Sequence, residues 1–518
     1  MEKLISNLIG NGIKYAFGIT GSGASLQLIA SLQRAGIEYY PVGHEAAAAF
    51  MAGACCRDGI SRAVAITIKG PGFINLMPGV VSNYYENRPS LTISEAYPQD
   101  VPLFKTHKRL DHKLICQSVC KAYGVSNQKG VVTKLLDKSQ EEPPGPVHLD
   151  LVGGSYIGQS NDFEREDKSL LIDKQQTDKL EEYLKNSTHP CLILGSLAVR
   201  LNFDWNLTKV PVVTTAAAKG CYDETSKWSA GVITGEVTKL SPESSALHKS
   251  DLIIAVGLRN TEVIKIESCP APLIMIDKIG LDLQEGFDPD LLIISNDLSG
   301  IFALLLKSLV SKSWGIDILA KQRQDIYKAL LSKQWLTARA FNVLQENMAD
   351  DTILALDTGF FCTVGETVWK AKQSDLFCSS SVGRFMGSAI PTAIGVSISS
   401  RESPVLCVMG DGGISPYFGE ISLAVREQLP IVFVLMTDGR YGSVAAFSPD
   451  DAETKRAVNI GVESWCDTIR GLNCKAIQAN NEIELIKALN NWKGKTAPLF
   501  IELPFEPEDY ARTAGKLR

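Results

Sequence analysis

The run Pro404-Val405-Leu406-Cys407-Val408 offers no polar side to any strand it forms, and it leads directly into Met409-Gly410-Asp411-Gly412-Gly413. A strand without a polar face is covered on both sides, the situation of a parallel sheet flanked by helices. A second such run, Ile431-Val432-Phe433-Val434-Leu435, ends in Met436-Thr437-Asp438-Gly439-Arg440-Tyr441-Gly442. A carboxylate at a strand end supplies oxygen to a hard cation, and flanking glycines let backbone N–H groups approach a phosphate. A lone Gly-Asp-Gly is ordinarily a turn. Two acidic ends on neighbouring strands read instead as a magnesium–diphosphate site.

At 518 residues the chain is too long for one core, and its length suggests about three domains. A net charge of −6 without a basic cluster argues against nucleic acid as a partner. No stretch is long and charge-free enough to span a bilayer, and Met1-Glu2-Lys3-Leu4-Ile5 opens an amphipathic helix rather than a secretory leader. The twelve cysteines contain no Cys-x-x-Cys pair, so reduced thiols in a cytoplasmic protein are the simplest expectation.

The same strand-then-glycine rhythm recurs along the whole chain. Tyr15–Gly18, Ala63–Ile68, Ser90–Ile93 and Val147–Leu151 read as strands of a first unit, residues 1–157. A polar stretch, 158–176, reads as a linker. Cys191–Gly195, Val210–Thr214, Asp251–Gly257 and Leu273–Asp277 belong to a central unit, 177–312. Ile353–Asp357, the two runs above and Leu499–Leu503 belong to a third, 313–518. The expected fold class is α/β, three consecutive doubly wound parallel-sheet domains, with ligands gathered outside the carboxyl ends of the strands.

In the first unit Gly43-His44-Glu45-Ala46-Ala47-Ala48 places an acid at the start of an Ala-rich helix, where it either stabilises the helix N-terminus or serves a site. Gly70-Pro71-Gly72-Phe73-Ile74-Asn75 is a strand-to-helix turn, either a tight connection or a cradle of backbone donors.

Taken in order, these pieces resemble the thiamine diphosphate-dependent 2-oxo acid decarboxylase and acetohydroxyacid synthase (acetolactate synthase-like) superfamily. The resemblance also takes in Glu86-Asn87-Arg88-Pro89 and Phe385-Met386-Gly387-Ser388-Ala389-Ile390-Pro391, and it runs from Tyr15 to about Pro504. It implies three domains, a pyrimidine-binding first, a central and a diphosphate-binding third. Glu45 would hydrogen-bond the pyrimidine and drive formation of the nucleophilic thiazolium carbanion. Asp411, Asp438 and the main-chain oxygen of Arg440 would ligate Mg2+. Gly410, Gly412, Gly413, Thr358 and Gly359 would face the diphosphate, with Tyr441 and Gly442 beside it. Met386 would prop the bent cofactor, and Gly72 and Asn75 would face its pyrimidine half. Ser22, Lys69 and His107 are candidates on the substrate side; His112 is a second possible proton shuttle.

The resemblance further implies a homo-oligomer, dimer or tetramer, whose sites lie between subunits. Thr437-Asp438 replaces the usual Asn-Asn pair, and aspartate is an acceptable magnesium ligand. Lys69 precedes the Gly-Pro-Gly turn and could clamp an anionic substrate. Val444 is apolar where pyruvate decarboxylases carry an acid, which resembles the acetohydroxyacid synthases or benzoylformate decarboxylase. The central unit lacks flavin contacts, so FAD is not expected. The implied activity is decarboxylation of a 2-oxo acid and transfer of the acyl unit to a second carbonyl. The alternatives are simple decarboxylation to an aldehyde and a non-catalytic cofactor-binding subunit.

Overall fold

The computed structural model describes residues 1–21, 23–56, 60, 62–98, 101–102, 105–152, 172–259, 261–262, 271–280, 288–332, 335–446, 448–449, 451–492, 496–514 and 516–517. Three six-stranded sheets, every pairing in them parallel, follow one another along the chain. The α/β expectation is therefore met three times.

The first sheet comprises β1 (Tyr15–Gly18), β2 (Glu38–Pro41), β3 (Ala63–Thr67), β4 (Ser90–Ala96), β5 (Ala122–Val125) and β6 (Pro146–Val152), in the order β2-β1-β3-β4-β6-β5. The central sheet comprises β7 (Pro190–Leu194), β8 (Val212–Thr214), β9 (Ser229–Val232), β10 (Leu252–Val256), β11 (Leu273–Asp277) and β12 (Leu291–Ile294), ordered β12-β11-β10-β7-β8-β9. The third comprises β13 (Ile353–Leu356), β14 (Phe377–Ser379), β15 (Val405–Gly410), β16 (Ile431–Thr437), β17 (Lys475–Gln478) and β18 (Leu499–Pro504), ordered β14-β13-β15-β16-β18-β17. The first and third sheets thus share one topology, and the central sheet has another.

The first and third domains of the chain are joined by a continuous core that includes Phe17, Ala46 to Ala49, Phe50, Ile390, Ile394 and Phe433. The helix Glu45–Ala54 is buried along its whole length, which explains a sequence apolar all round. It packs against Pro71–Tyr85 on one side and Ala389–Ser399 on the other. Glycine makes both approaches possible. A Cβ at Gly79 would lie 2.5 Å from the Ala46 carbonyl oxygen, and one at Gly395 would lie 2.6 Å from that of Met51.

Carboxylates pin the same junction. Glu420 accepts the backbone N–H groups of Gly43 and His44, each at 2.9 Å. Glu86 accepts those of Ser381, Val382 and Gly383 at 3.0, 3.1 and 2.8 Å. The central domain is tied to its neighbours through two buried cations, Lys219 and Arg259. Lys219 and Glu224 meet at 2.5 Å, both buried, with Lys219 also donating to the Glu366 carbonyl. Arg259 reaches Glu142 of the first domain at 2.6 Å and Asp277 at 3.2 Å.

Candidate active site

β15 and β16 are neighbours with Gly410 paired to Met436, so Asp411 and Thr437-Asp438 emerge side by side at their carboxyl ends. Asp411 is buried, and its carboxylate accepts from Thr437 Oγ1 at 2.5 Å, Asp438 N at 3.0 Å and Gly439 N at 3.2 Å. Burial pushes the Asp411 carboxyl up to about 6 against these hydrogen bonds, with the Asp438 charge adding to the rise. Burial raises Asp438 too, opposed by Arg440, whose Nε stands 3.5 Å from Oδ2. Two desolvated carboxylates side by side are costly unless a cation joins them.

The surrounding residues form a cradle with no room for side chains. A Cβ at Gly412 would lie 2.6 Å from the Met386 sulfur and 2.9 Å from the Tyr441 ring. One at Gly442 would lie 2.9 Å from Asp438 Oδ2. Phe361 fills the space between Gly359 and Gly410, within 2.6 and 2.9 Å of their Cβ positions. The oxygen-only donor set and the glycine cradle fit Mg2+ and a diphosphate. Thr358 and Gly359 end the adjacent β13, facing the same region. Met386, Tyr441 and Val444 stand at its mouth, 45%, 37% and 56% exposed.

Asp357 is a residue that the sequence reading passed over as the tail of a strand. Fully buried, it accepts the N–H groups of Thr358 at 2.7 Å, Gly387 at 3.0 Å and Ala389 at 3.4 Å. Burial pushes its carboxyl up to about 7 despite those bonds. It thereby fixes the turn that carries Met386 to the turn at Thr358-Gly359. Its signal was close to that of Asp411, an acid closing an apolar strand, with the glycine one residue further on. Glu420, which holds the entry to the Glu45 helix, had no such signal.

In the first domain Glu45 is buried at the start of its helix, and Asn75 Nδ2 donates to its Oε2 at 3.1 Å. Gly72 lies against it: a Cβ there would be 2.2 Å from Thr67 Oγ1 and 3.3 Å from Glu45 Oε1. The turn needs Gly70 in a left-handed conformation, φ +70°, under the Lys108 carbonyl. Glu45, Gly72 and Asn75 are thus brought together. Lys69 pairs with Glu95 at 3.0 Å and lies over the Tyr97 ring. Glu95 is lowered in spite of its burial, because Ser25 and Lys69 bond its carboxylate. His107 is exposed on a turn, whereas His112 is buried. Ser22 lies outside the described residues.

In the central domain the crevice where strand order reverses, between β7 and β10, holds a carboxylate. Glu262 accepts Ser196 N at 2.9 Å and Thr215 Oγ1 at 2.7 Å there.

A three-domain α/β fold with an acidic, glycine-lined strand end in one domain and a Glu–Asn–Gly turn in another places the chain in a class, α/β proteins with polar groups gathered at the carboxyl ends of parallel strands. The particular family follows from comparison with known proteins. Residues 1–112 match the model described as "Thiamine pyrophosphate enzyme, N-terminal TPP binding domain", 177–296 the central domain and 357–503 the C-terminal TPP binding domain of the same family. The chain belongs to the thiamine pyrophosphate enzymes and is a thiamine diphosphate-dependent enzyme. Its relatives include acetolactate synthase isozyme 3 large subunit of Escherichia coli, 24% identical over 86% of this chain and 83% of that protein. The catabolic acetolactate synthase of Raoultella terrigena is 25% identical over 86% and 84%. The probable acetolactate synthase large subunit of Methanococcus aeolicus is 22% identical over 98% and 92%.

Proposed function

We propose that the chain is a magnesium-dependent, acetolactate synthase-like carboligase, which decarboxylates a 2-oxo acid and passes the acyl unit to a second carbonyl. The observation that carries this reading is the pair of buried carboxylates, Asp411 and Asp438, side by side at adjacent strand ends over a glycine floor. Those carboxylates would hold the metal with the Arg440 main-chain oxygen, and Gly410, Gly412, Gly413, Thr358 and Gly359 the diphosphate. When bound, thiamine diphosphate supplies the electron sink for the breaking carbon–carboxylate bond. Glu45, kept from water and steadied by Asn75, would hold a proton against the pyrimidine ring. Val444 gives the mouth an apolar, non-acidic wall, suited to keeping protons away while a second carbonyl competes. Lys69 and His107 stand as candidates on the substrate side, as does Ser22.

The working unit in this reading is a homodimer or homotetramer in the cytoplasm. Met386, Tyr441 and Val444 form an exposed apolar mouth, which supports cover by a second copy carrying its own Glu45. Among the described residues no helix is long and apolar enough to cross a membrane.

The test is to load the protein with thiamine diphosphate and Mg2+ and screen pairs of 2-oxo acids and carbonyl acceptors, with products identified by mass spectrometry. A hydroxyketone product is expected. An aldehyde alone would make it a simple decarboxylase. Cofactor binding without turnover on any pair would leave a non-catalytic subunit.

A further inference from the structure

We propose that His112, His148 and Asp150 form a second metal site in the first domain, one for a divalent transition-metal ion of the Zn2+ kind. His148 and Asp150 lie two apart on β6 and so share a face of the sheet. His112 opens the helix His112–Val119, whose start is capped by Asp111. All three side chains are buried, and their ligand atoms lie within 4.8 Å of one another. His112 Nδ1 is 2.7 Å and His148 Nε2 3.1 Å from the same Asp150 oxygen. Around an ion with bonds of ~2.0–2.1 Å such atoms would stand roughly 3.3 Å apart, so His112 needs to draw back from Asp150 by about 0.6 Å and His148 by about 0.2 Å.

The groups around the cluster are those that orient metal ligands. Thr92 Oγ1 meets the other nitrogen of His148 at 2.7 Å, and Tyr123 donates to the second oxygen of Asp150 at 2.5 Å. Phe73 stacks on the His112 ring, centroids 3.9 Å apart. Thr92 also has the Val147 carbonyl within reach of its hydroxyl proton, at 3.3 Å. When that proton goes to Val147, Thr92 accepts from His148 Nδ1–H, and the Nε2 lone pair points at a carboxylate oxygen. A cation between them resolves the repulsion.

His112 and Asp150 also line a cleft of about 730 Å³ with Lys69, Tyr97 and Arg109, from which water can complete the coordination. Two nitrogens and one oxygen select a borderline ion, in contrast to the oxygen-only pair Asp411 and Asp438. Ligation needs the lone pairs of His112 Nδ1 and His148 Nε2, so a proton on either of those nitrogens shifts to the other nitrogen of its ring.

The full-length protein, stripped with a chelator, is titrated with Zn2+ by calorimetry and with Co2+ by visible absorption. One ion per chain is expected, with a higher melting temperature. Asp150→Asn and His148→Gln are expected to weaken binding at least ~100-fold, and Thr92→Ala or Tyr123→Phe about 10-fold. Asp438→Ala is expected to leave Zn2+ affinity at the cluster unchanged, which separates it from the diphosphate site. Equal Zn2+ affinity of wild type and Asp150→Asn would overturn the proposal. Should the variants not fold, 15N spectra of the wild-type histidines decide: a His148 Nε2–H signal that persists after Zn2+ is added would overturn it equally.

Discussion

The first and third domains have the same strand order but opposite electrostatics at the same place. In both, the two strands at the middle of the sheet, β3 beside β4 and β15 beside β16, end side by side. In the third domain those ends carry Asp411 and Asp438, both raised by burial. In the first they carry Lys69 and Glu95, paired at 3.0 Å. One end neutralises itself, while the other is left short of positive charge. Identical topology therefore supplies the position of a site, and the side chains at the strand tips decide whether that site needs a cation.

The largest effect is expected from breaking the third domain's half of this contrast. Asp411→Ala removes the carboxylate at the centre of the acidic pair and the acceptor for Thr437, Asp438 and Gly439. Calorimetry on the variant is expected to show Mg2+–thiamine diphosphate affinity reduced by at least ~100-fold, since a first ligand counts for no less than its supports. Affinity within a few-fold of wild type would place the cation elsewhere and dissolve the comparison.

Glu45→Gln tests the first domain's half. The amide keeps the hydrogen bond to Asn75 but cannot hold the acid's proton, so turnover is expected to fall by roughly 10²–10⁴ with cofactor affinity nearly unchanged. Steady-state kinetics beside calorimetry separates the two quantities. Undiminished turnover would remove Glu45 from the chemistry.

The same contrast between centre and edge governs what the sequence could reveal. Every strand read directly from an apolar run is one of the four inner strands of its sheet: β1, β3, β4 and β6 in the first, with their equivalents in the others. The six strands that went unread, β2, β5, β9, β12, β14 and β17, are the six sheet edges. Inner strands are buried along nearly their whole length, whereas β2 and β17 alternate between buried and exposed and are four residues each. An edge strand has one neighbour, so its composition is that of a loop as much as of a sheet. The acidic strand tips were legible for the opposite reason, as charge set against an unbroken apolar run. Glu420 was not legible, because its partners lie in a different domain, more than three hundred residues away.

Asp357 extends the comparison to β13, whose counterpart β1 ends in Gly18 with no acid. Its carboxyl lies at about 7 in the folded chain against an ordinary value of 3.8. A folded value above the unfolded one gives stability that is complete below about pH 4 and lost as pH rises through about 7. Thermal melts of the cofactor-free protein are therefore expected to fall across that window by a few degrees. Asp357→Asn is expected to shrink the fall to the part that Asp411, itself raised to about 6, contributes. A wild-type profile already flat between those limits would show that Asp357 stays ionised, as Asp411's neighbourhood does not require.

Glu420→Ala probes the pin between the two domains. Leaving the N–H groups of Gly43 and His44 without an acceptor is expected to cost about 1–3 kcal/mol in denaturant unfolding. Turnover should drop more than cofactor affinity, because the loss falls at the start of the Glu45 helix. A change in stability alone would make Glu420 a fastener and nothing more.

The smallest effect is expected at the self-neutralised end. Lys69 is about a quarter exposed and already committed to Glu95, so the pair itself is worth at most ~1 kcal/mol after screening. Lys69→Ala should raise the Michaelis constant for an anionic substrate only a few-fold, with kcat little altered. Lys69→Ala with Glu95→Gln should behave like the single variant if the pair is merely structural. A tenfold or larger rise that shrinks at high salt would mean that substrate draws Lys69 away from Glu95, and that the first domain's strand tips form an anion site opposite in sign to the third's.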